Sequence, residues 1–224
     1  FISSDELDRL GLPIDDPRRA TVRLANPLAD TQPFMRTTLL PGLFAAVARN
    51  TSRSQDDLAV FECGAVFWGN DRGAAPMPDV SRRPSQDEIA AVTGNLPDQP
   101  LMVAGLLAGN WVPSGWQGPA EKADWRHAVH LAQTAAATLG LDLGRRATKR
   151  APWHPGRCAE LYVASGDDEV VLGHAGELHP KVIKAFGLPE RACAVEFDLD
   201  AMIAAAPRGG EVAPISPFPL TKQD

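Results

Sequence analysis

With 224 residues, 22 Lys and Arg against 28 Asp and Glu, and a formal charge of −6, the chain is long enough for one substantial core and carries no summed positive field that would draw it to a polyanion. Any contact with nucleic acid is therefore local. Hydrophobic residues at 44% and charged residues at 22% are ordinary globular proportions, whereas 20 prolines and 19 glycines imply many turns. Cys63, Cys158 and Cys193 stand far apart with no CxxC pair, which argues against a disulfide framework and a zinc site and fits a reducing cytoplasm. No apolar run approaches the ~20 residues of a membrane helix, and Phe1 does not open a signal peptide. The chain starts without methionine, and residues 219–224 read as the entry to another strand, so a piece of a longer polypeptide is expected.

In chain order, Ser3 and Glu6 stand at capping-box spacing, and Gly11 followed by Pro13 closes the short helix they open. Residues 21–24 are β-rich and stop at Asn26-Pro27, which predicts a strand. Leu40, Leu43, Phe44, Val47 and Ala48 recur at helical spacing, predicting a helix over 39–53 with Pro41 in its first turn. Residues 58–68 predict a strand, with Leu58, Val60, Glu62, Gly64 and Val66 on one face, Phe61, Cys63, Ala65 and Phe67 on the other, and both faces covered. Residues 69–100, punctuated by five prolines, read as an exposed insertion or long loop. Residues 101–108 are a continuous apolar strand, and 109–118, with Trp111 and Trp116, a loop. The longest helix spans 122 or 124 to 139, marked by Trp125, Val129, Ala132, Ala136 and Leu139 and stopped by Gly140. Residues 158–165 and 169–174 form a hairpin about Gly166-Asp167-Asp168. Pro180 opens a helix that Gly187 closes, and 193–199 alternate as a final strand. Hairpins with helices packed on one side predict an α+β fold built on an antiparallel sheet flanked by helices.

The run from Asn26-Pro27-Leu28 through Arg36-Thr37-Thr38-Leu39-Leu40-Pro41-Gly42-Leu43 and Phe61-Glu62-Cys63-Gly64, then His154-Pro155-Gly156-Arg157 and Gly173-His174-Ala175-Gly176-Glu177-Leu178-His179-Pro180, resembles the bacterial phenylalanyl-tRNA synthetase beta subunit over nearly the whole chain. Each motif alone is weak, and five in the right order are strong. The region is similar to that subunit's catalytic-like module, which implies a class II aminoacyl-tRNA synthetase-like fold over residues 1–214. Residues 215–224 would then begin the following anticodon-binding domain.

Adenylate formation requires positive side chains around the ATP phosphates. The resembling fold would place an arginine just after the Phe-Glu-x-Gly-like strand; this chain instead has Phe67-Trp68-Gly69-Asn70, and no arginine before Arg72. The last strand carries Glu196 and Asp198 where a phosphate would need cations, and unpaired buried anions are costly. Glu196, Asp198 and Asp200 alternate on one strand face and read as a solvated or interface edge. The expected nucleotide pocket is therefore plugged by the indole of Trp68 and lined with anions.

Other constellations have structural readings. His154, His174, Glu177 and His179 could supply metal ligands, but their spacing favours a structural role, with His179 at the start of the helix that Pro180 opens. Arg36 reads as a local ion pair or backbone hydrogen bond, with a role in holding a loop or partner chain as the alternative. Arg145, Arg146, Lys149 and Arg150 read as surface charge that could also touch RNA phosphates. Trp111 and Trp116 read as plugs of a domain edge or as a binding surface. Cys63 and Cys158 read as small core residues.

No catalytic, cofactor-binding or metal-ligating residue is therefore assigned. The resemblance implies a non-catalytic module of phenylalanine-tRNA ligase, with a catalytic alpha subunit as partner in a cytoplasmic α₂β₂ heterotetramer. ATP, Mg²⁺ and tRNA would be needed by the whole enzyme and no membrane involved; the chain alone would be a monomer. The alternative is an active adenylate-forming ligase or a metal-dependent hydrolase.

Overall fold

In the computed structural model, residues 1–70, 75–165 and 168–207 are described. Among them the helices are α1 (Ser4–Arg9), α2 (Leu40–Thr51), α3 (Gln86–Gly94), α4 (Trp125–Thr138), α5 (Pro180–Phe186) and α6 (Leu199–Ala205). The strands are β1 (Leu58–Ala65), β2 (Leu101–Ala108), β3 (Asn110–Val112), β4 (Glu121–Lys122), β5 (Leu143–Ala147), β6 (Trp153–Ser165), β7 (Asp168–Leu178) and β8 (Cys193–Asp198). Six of them make one antiparallel sheet in the order β1-β2-β8-β7-β6-β5, and β3 pairs with β4 in a separate ribbon. This is the expected α+β architecture.

Helices cover both faces of the sheet, not one. Alternation along β2 and β8 sends Ala104, Leu106 and Ala194 into a core with α1, α2 and α5, and Leu107, Cys193, Val195 and Phe197 into a second core with α4 and α6. A strand covered on both sides reads as an unbroken apolar run, which is how β2 reads. Helix α2 buries Leu40, Pro41, Leu43, Phe44 and Val47, and Phe44 meets Phe186 of α5 edge-on at 5.0 Å. Helix α4 buries Ala128, Val129, Ala132 and Ala136, small residues that let it lie close to β7 and β8.

Caps set the helix ends. Ser3 accepts from the Glu6 N–H while Glu6 accepts from the Ser3 N–H, and Asp124 accepts from the Arg126 N–H at the start of α4. Helix α5 begins at His179, whose Nδ1 accepts from the Lys181 N–H, and ends at Gly187 with φ of 65°. The structural role expected of His179 is the one it has.

Several sequence expectations change. Residues 21–24 form no strand: single bridges join Arg23 and Ile2 to Phe34, because Pro27 and Pro33 lack the N–H groups a continuous ladder needs. Strand β1 is an edge strand with one face open, and Phe61 is 79% exposed there. The 69–100 segment contains α3, started by a Ser85–Glu88 capping box, and the 109–118 loop contains β3. Strand β5 and helix α6 have weak sequence signals, the first being polar and the second a short alanine-rich turn after a strand. Gly166 and Asp167 of the hairpin turn, Arg72, and residues 215–224 lie outside the described residues. No helix among those described is long and apolar enough to cross a membrane.

Candidate functional site

Antiparallel register lines up Glu62, Ala104, Glu196, His174, Glu160 and Arg146 in one row across the sheet, running from β1 to β5. Arg36 closes the row at β1. Its guanidinium is ion-paired with Glu62, and its Nε donates to the Ala65 carbonyl at 2.9 Å. Arg36 therefore has the local role expected of it, tying the loop before α2 to the edge strand. At the opposite end Arg146 pairs with Glu160 at 2.5 Å and with Glu169 at 2.6 Å and lies over the Tyr162 ring.

Glu196 occupies the centre of the row and is only 7% exposed. It belongs to no solvated edge: β8 lies between β2 and β7. Thr38 Oγ1 stands 2.8 Å from each carboxylate oxygen, and the Leu39 N–H donates to Oε1 at 2.7 Å. The carboxyl thus anchors the residues before α2 to the sheet, and burial pushes its pKa up in spite of those bonds. Asp198 accepts from the Ala201 N–H as the cap of α6, and Asp200, already in that helix, accepts from the Leu101 N–H. The three acids alternate in sequence but serve different elements.

Beside this row lies a cavity of about 370 Å³ bordered by Trp68, Trp153, Arg18, Arg150, His174 and Glu196. Trp68 is a wall and not a plug. Its Nε1–H donates to the Thr37 carbonyl at 3.2 Å, which holds the ring at the cavity side. Trp153 is fixed likewise, through its Nε1–H to the Ala194 carbonyl at 3.0 Å. Nor are anions alone at the lining. Arg18, buried, donates to both carboxylate oxygens of Asp16 and to the Ala151 carbonyl. Burial opposes ionisation of Asp16, but the Arg18 bonds and charge outweigh it and hold its pKa low. The sequence reading missed Arg18; the signal was Asp16-Pro17, a capping acid followed by a proline, which starts the single turn that turns Arg18 inward.

His174 stacks on Trp153, centroid to centroid at 5.6 Å, with Nε2 3.8 Å from Glu160. Burial, and then the positive charges of Arg150 and Arg18, push its pKa down to about 3. A base whose folded pKa lies below its ordinary value contributes stability that is full above about pH 6.5 and is lost as pH falls through about 3. His174→Phe is expected to show a smaller loss of stability than the wild type between these limits, measured by urea unfolding at stepped pH. Equal losses would contradict a buried neutral imidazole.

The other histidines are not gathered with it. His154 faces His179 at 6.4 Å, while Glu177 pairs with Arg157 at 2.5 Å and Arg191 at 3.4 Å. No group of three or more His, Cys, Asp or Glu among the described residues is placed to hold a metal ion. Cys158 and Cys193 are buried, and burial raises their thiols to about 11 and about 12; Cys63 is exposed on β1, contrary to its reading as a core residue. Trp111 stacks on His127 at 4.8 Å and packs at the rim of the second core, whereas Trp116 is 94% exposed and plugs nothing. Of the basic cluster, Arg145 and Lys149 are exposed and Arg150 turns into the cavity.

Residues 1–199 match the family described as phenylalanyl tRNA synthetase beta chain CLM domain. All of the chain aligns with proteins named phenylalanine–tRNA ligase beta subunit: 59% identical over 224 residues to that of Cutibacterium acnes, 50% over 227 to that of Thermobifida fusca and 47% over 226 to that of Streptomyces avermitilis. The chain spans 26% of the first of these relatives and 27% of each of the other two. It belongs to the phenylalanyl-tRNA synthetase beta chain CLM domain family.

Proposed function

We propose that this chain is a non-catalytic module of the beta subunit of a phenylalanine-tRNA ligase, supporting assembly with the catalytic alpha subunit in ATP-dependent attachment of phenylalanine to its tRNA. The observation that carries the reading is Glu196. The middle of the sheet face, where a nucleotide site would need cations, holds a buried carboxyl committed to Thr38 and the Leu39 N–H. A triphosphate brought there would meet Asp198 and a carboxyl already committed to Thr38, with Arg18 engaged by Asp16 and the single guanidinium of Arg150 left to offset several negative charges. The residues at the cavity therefore do not fit ATP and Mg²⁺; in the whole enzyme those cofactors would belong to the alpha subunit.

The antiparallel sheet and its flanking helices support a class II synthetase-like fold for residues 1–214, with residues 215–224 opening a following domain. The reading extends to an α₂β₂ heterotetramer acting on tRNA in the cytoplasm, with no membrane involved and the chain alone monomeric. Calorimetry of the chain with ATP and Mg²⁺ is expected to give no saturable heat. Saturable binding at micromolar strength would overturn the non-catalytic reading.

A further inference from the structure

We propose that the cavity between Trp68, Trp153 and Arg150 is a binding site for a small aryl carboxylate, a flat ring bearing one anionic group. The inference is independent of whether the module takes part in catalysis. Its first support is Arg150, which is half-buried at the cavity wall and, among the described residues, gives its guanidinium no hydrogen-bond acceptor. The neighbouring Arg18 is the contrast: two Asp16 oxygens and the Ala151 carbonyl accept from it. A guanidinium carries five donors in a fork suited to a carboxylate, and a partly desolvated one without acceptors gains most from an anion. Burial and then the charge of Arg18 lower the Arg150 pKa, the direction expected of a cation lacking a close counterion.

The second support is the shape and chemistry of the remaining walls. Two indoles, each fixed by its own N–H bond, border the space together with Met102 and Leu172, a surface that holds a flat apolar body at little entropic cost. A cavity of about 370 Å³ lies at the small end of ligand sites. His174 is neutral at ordinary pH and adds no second positive charge. Asp198, also at the lining, disfavours a ligand of high negative charge. One guanidinium not taken up by a carboxylate, fixed rings and a nearby acid together select a monoanion with an aromatic body over a phosphate chain.

The test is calorimetric titration with sodium benzoate, with benzamide as the same ring without charge, and with inorganic phosphate. Benzoate is expected to bind saturably, with Kd near ~1 mM as befits so small a ligand, and both benzamide and phosphate about tenfold or more weaker. Arg150→Gln should weaken benzoate about tenfold or more while leaving the melting temperature unchanged, because its side chain bonds to no other described residue. Absence of saturable benzoate binding, equal binding of benzamide or phosphate, or undiminished binding by Arg150→Gln would each overturn the proposal. The benzamide comparison needs no variant, so it decides even where a substitution impairs folding.

Discussion

Gly173→Ala is expected to cost the fold about 3 kcal/mol or more, at the upper end of single-substitution effects. A Cβ on Gly173 would lie 2.0 Å from the Glu196 carbonyl oxygen and 2.6 Å from the Phe197 Cα. Both atoms are backbone in the adjacent strand β8, so neither can swing aside as a side chain would. Relief would require β7 and β8 to separate in the middle of the sheet, where Gly173 pairs with Phe197. Denaturant unfolding of the purified variant measures the loss, and a change of less than about 1 kcal/mol would show that the strands yield more easily than close packing implies.

The second large effect is expected at Glu196, and its sign depends on pH. Because its folded pKa is raised above the ordinary value of 4.5, stability is full below about 4.5 and is lost as pH rises toward the folded pKa. Contacts of 2.8 Å from Thr38 Oγ1 to both carboxylate oxygens agree with that direction. The one hydroxyl proton serves one contact, and a protonated carboxyl supplies the other. Glu196→Gln keeps an oxygen to accept from the Leu39 N–H and an N–H to donate to Thr38 without any titrating group. The variant is expected to match the wild type near pH 4 and to exceed it by about 1–3 kcal/mol at neutral pH, measured by urea unfolding across that range. A wild type that gains on the variant as pH rises would show the carboxylate to be the stabilised form.

Glu196 also shows where sequence reading stopped. The residues 193–199 were legible as a strand from their alternation, and the helices with strong punctuation were legible too: Ser3 with Glu6, Pro41, Asp124 before the alanine-rich face, and Pro180 with Gly187. Such signals are local, carried by residues within one turn of what they specify. Strand order is not local. Whether a strand lies at the rim or the centre of a sheet depends on partners more than ninety residues away, as with Ala104 opposite Glu196. Glu196, Asp198 and Asp200 therefore read as an exposed edge when they anchor a loop, cap a helix and receive the N–H that begins β2. The same limit applied to β1, whose outer face proved open at Phe61 and Cys63.

At the cavity the outcome was mixed for a related reason. A local ion pair was legible for Arg36 as a residue type, but its partner Glu62, 26 residues on along the chain, was not. Trp68 was singled out correctly as a residue of the cleft, but its role as a wall required knowing that the Thr37 carbonyl receives its N–H. Arg150 read as one member of an exposed basic run, although neighbours in such a run can differ in burial. Lys149 is exposed, whereas Arg150 is half-buried and borders the cavity.

Strand β8 hands alternate side chains to the apolar layers on either side of the sheet, Ala194 to one and Val195 and Phe197 to the other. A partition wall shared by two rooms cannot be removed from only one of them. Neither layer can melt while its neighbour stays intact, so a molecule of this plan comes apart as a unit instead of shedding one side first.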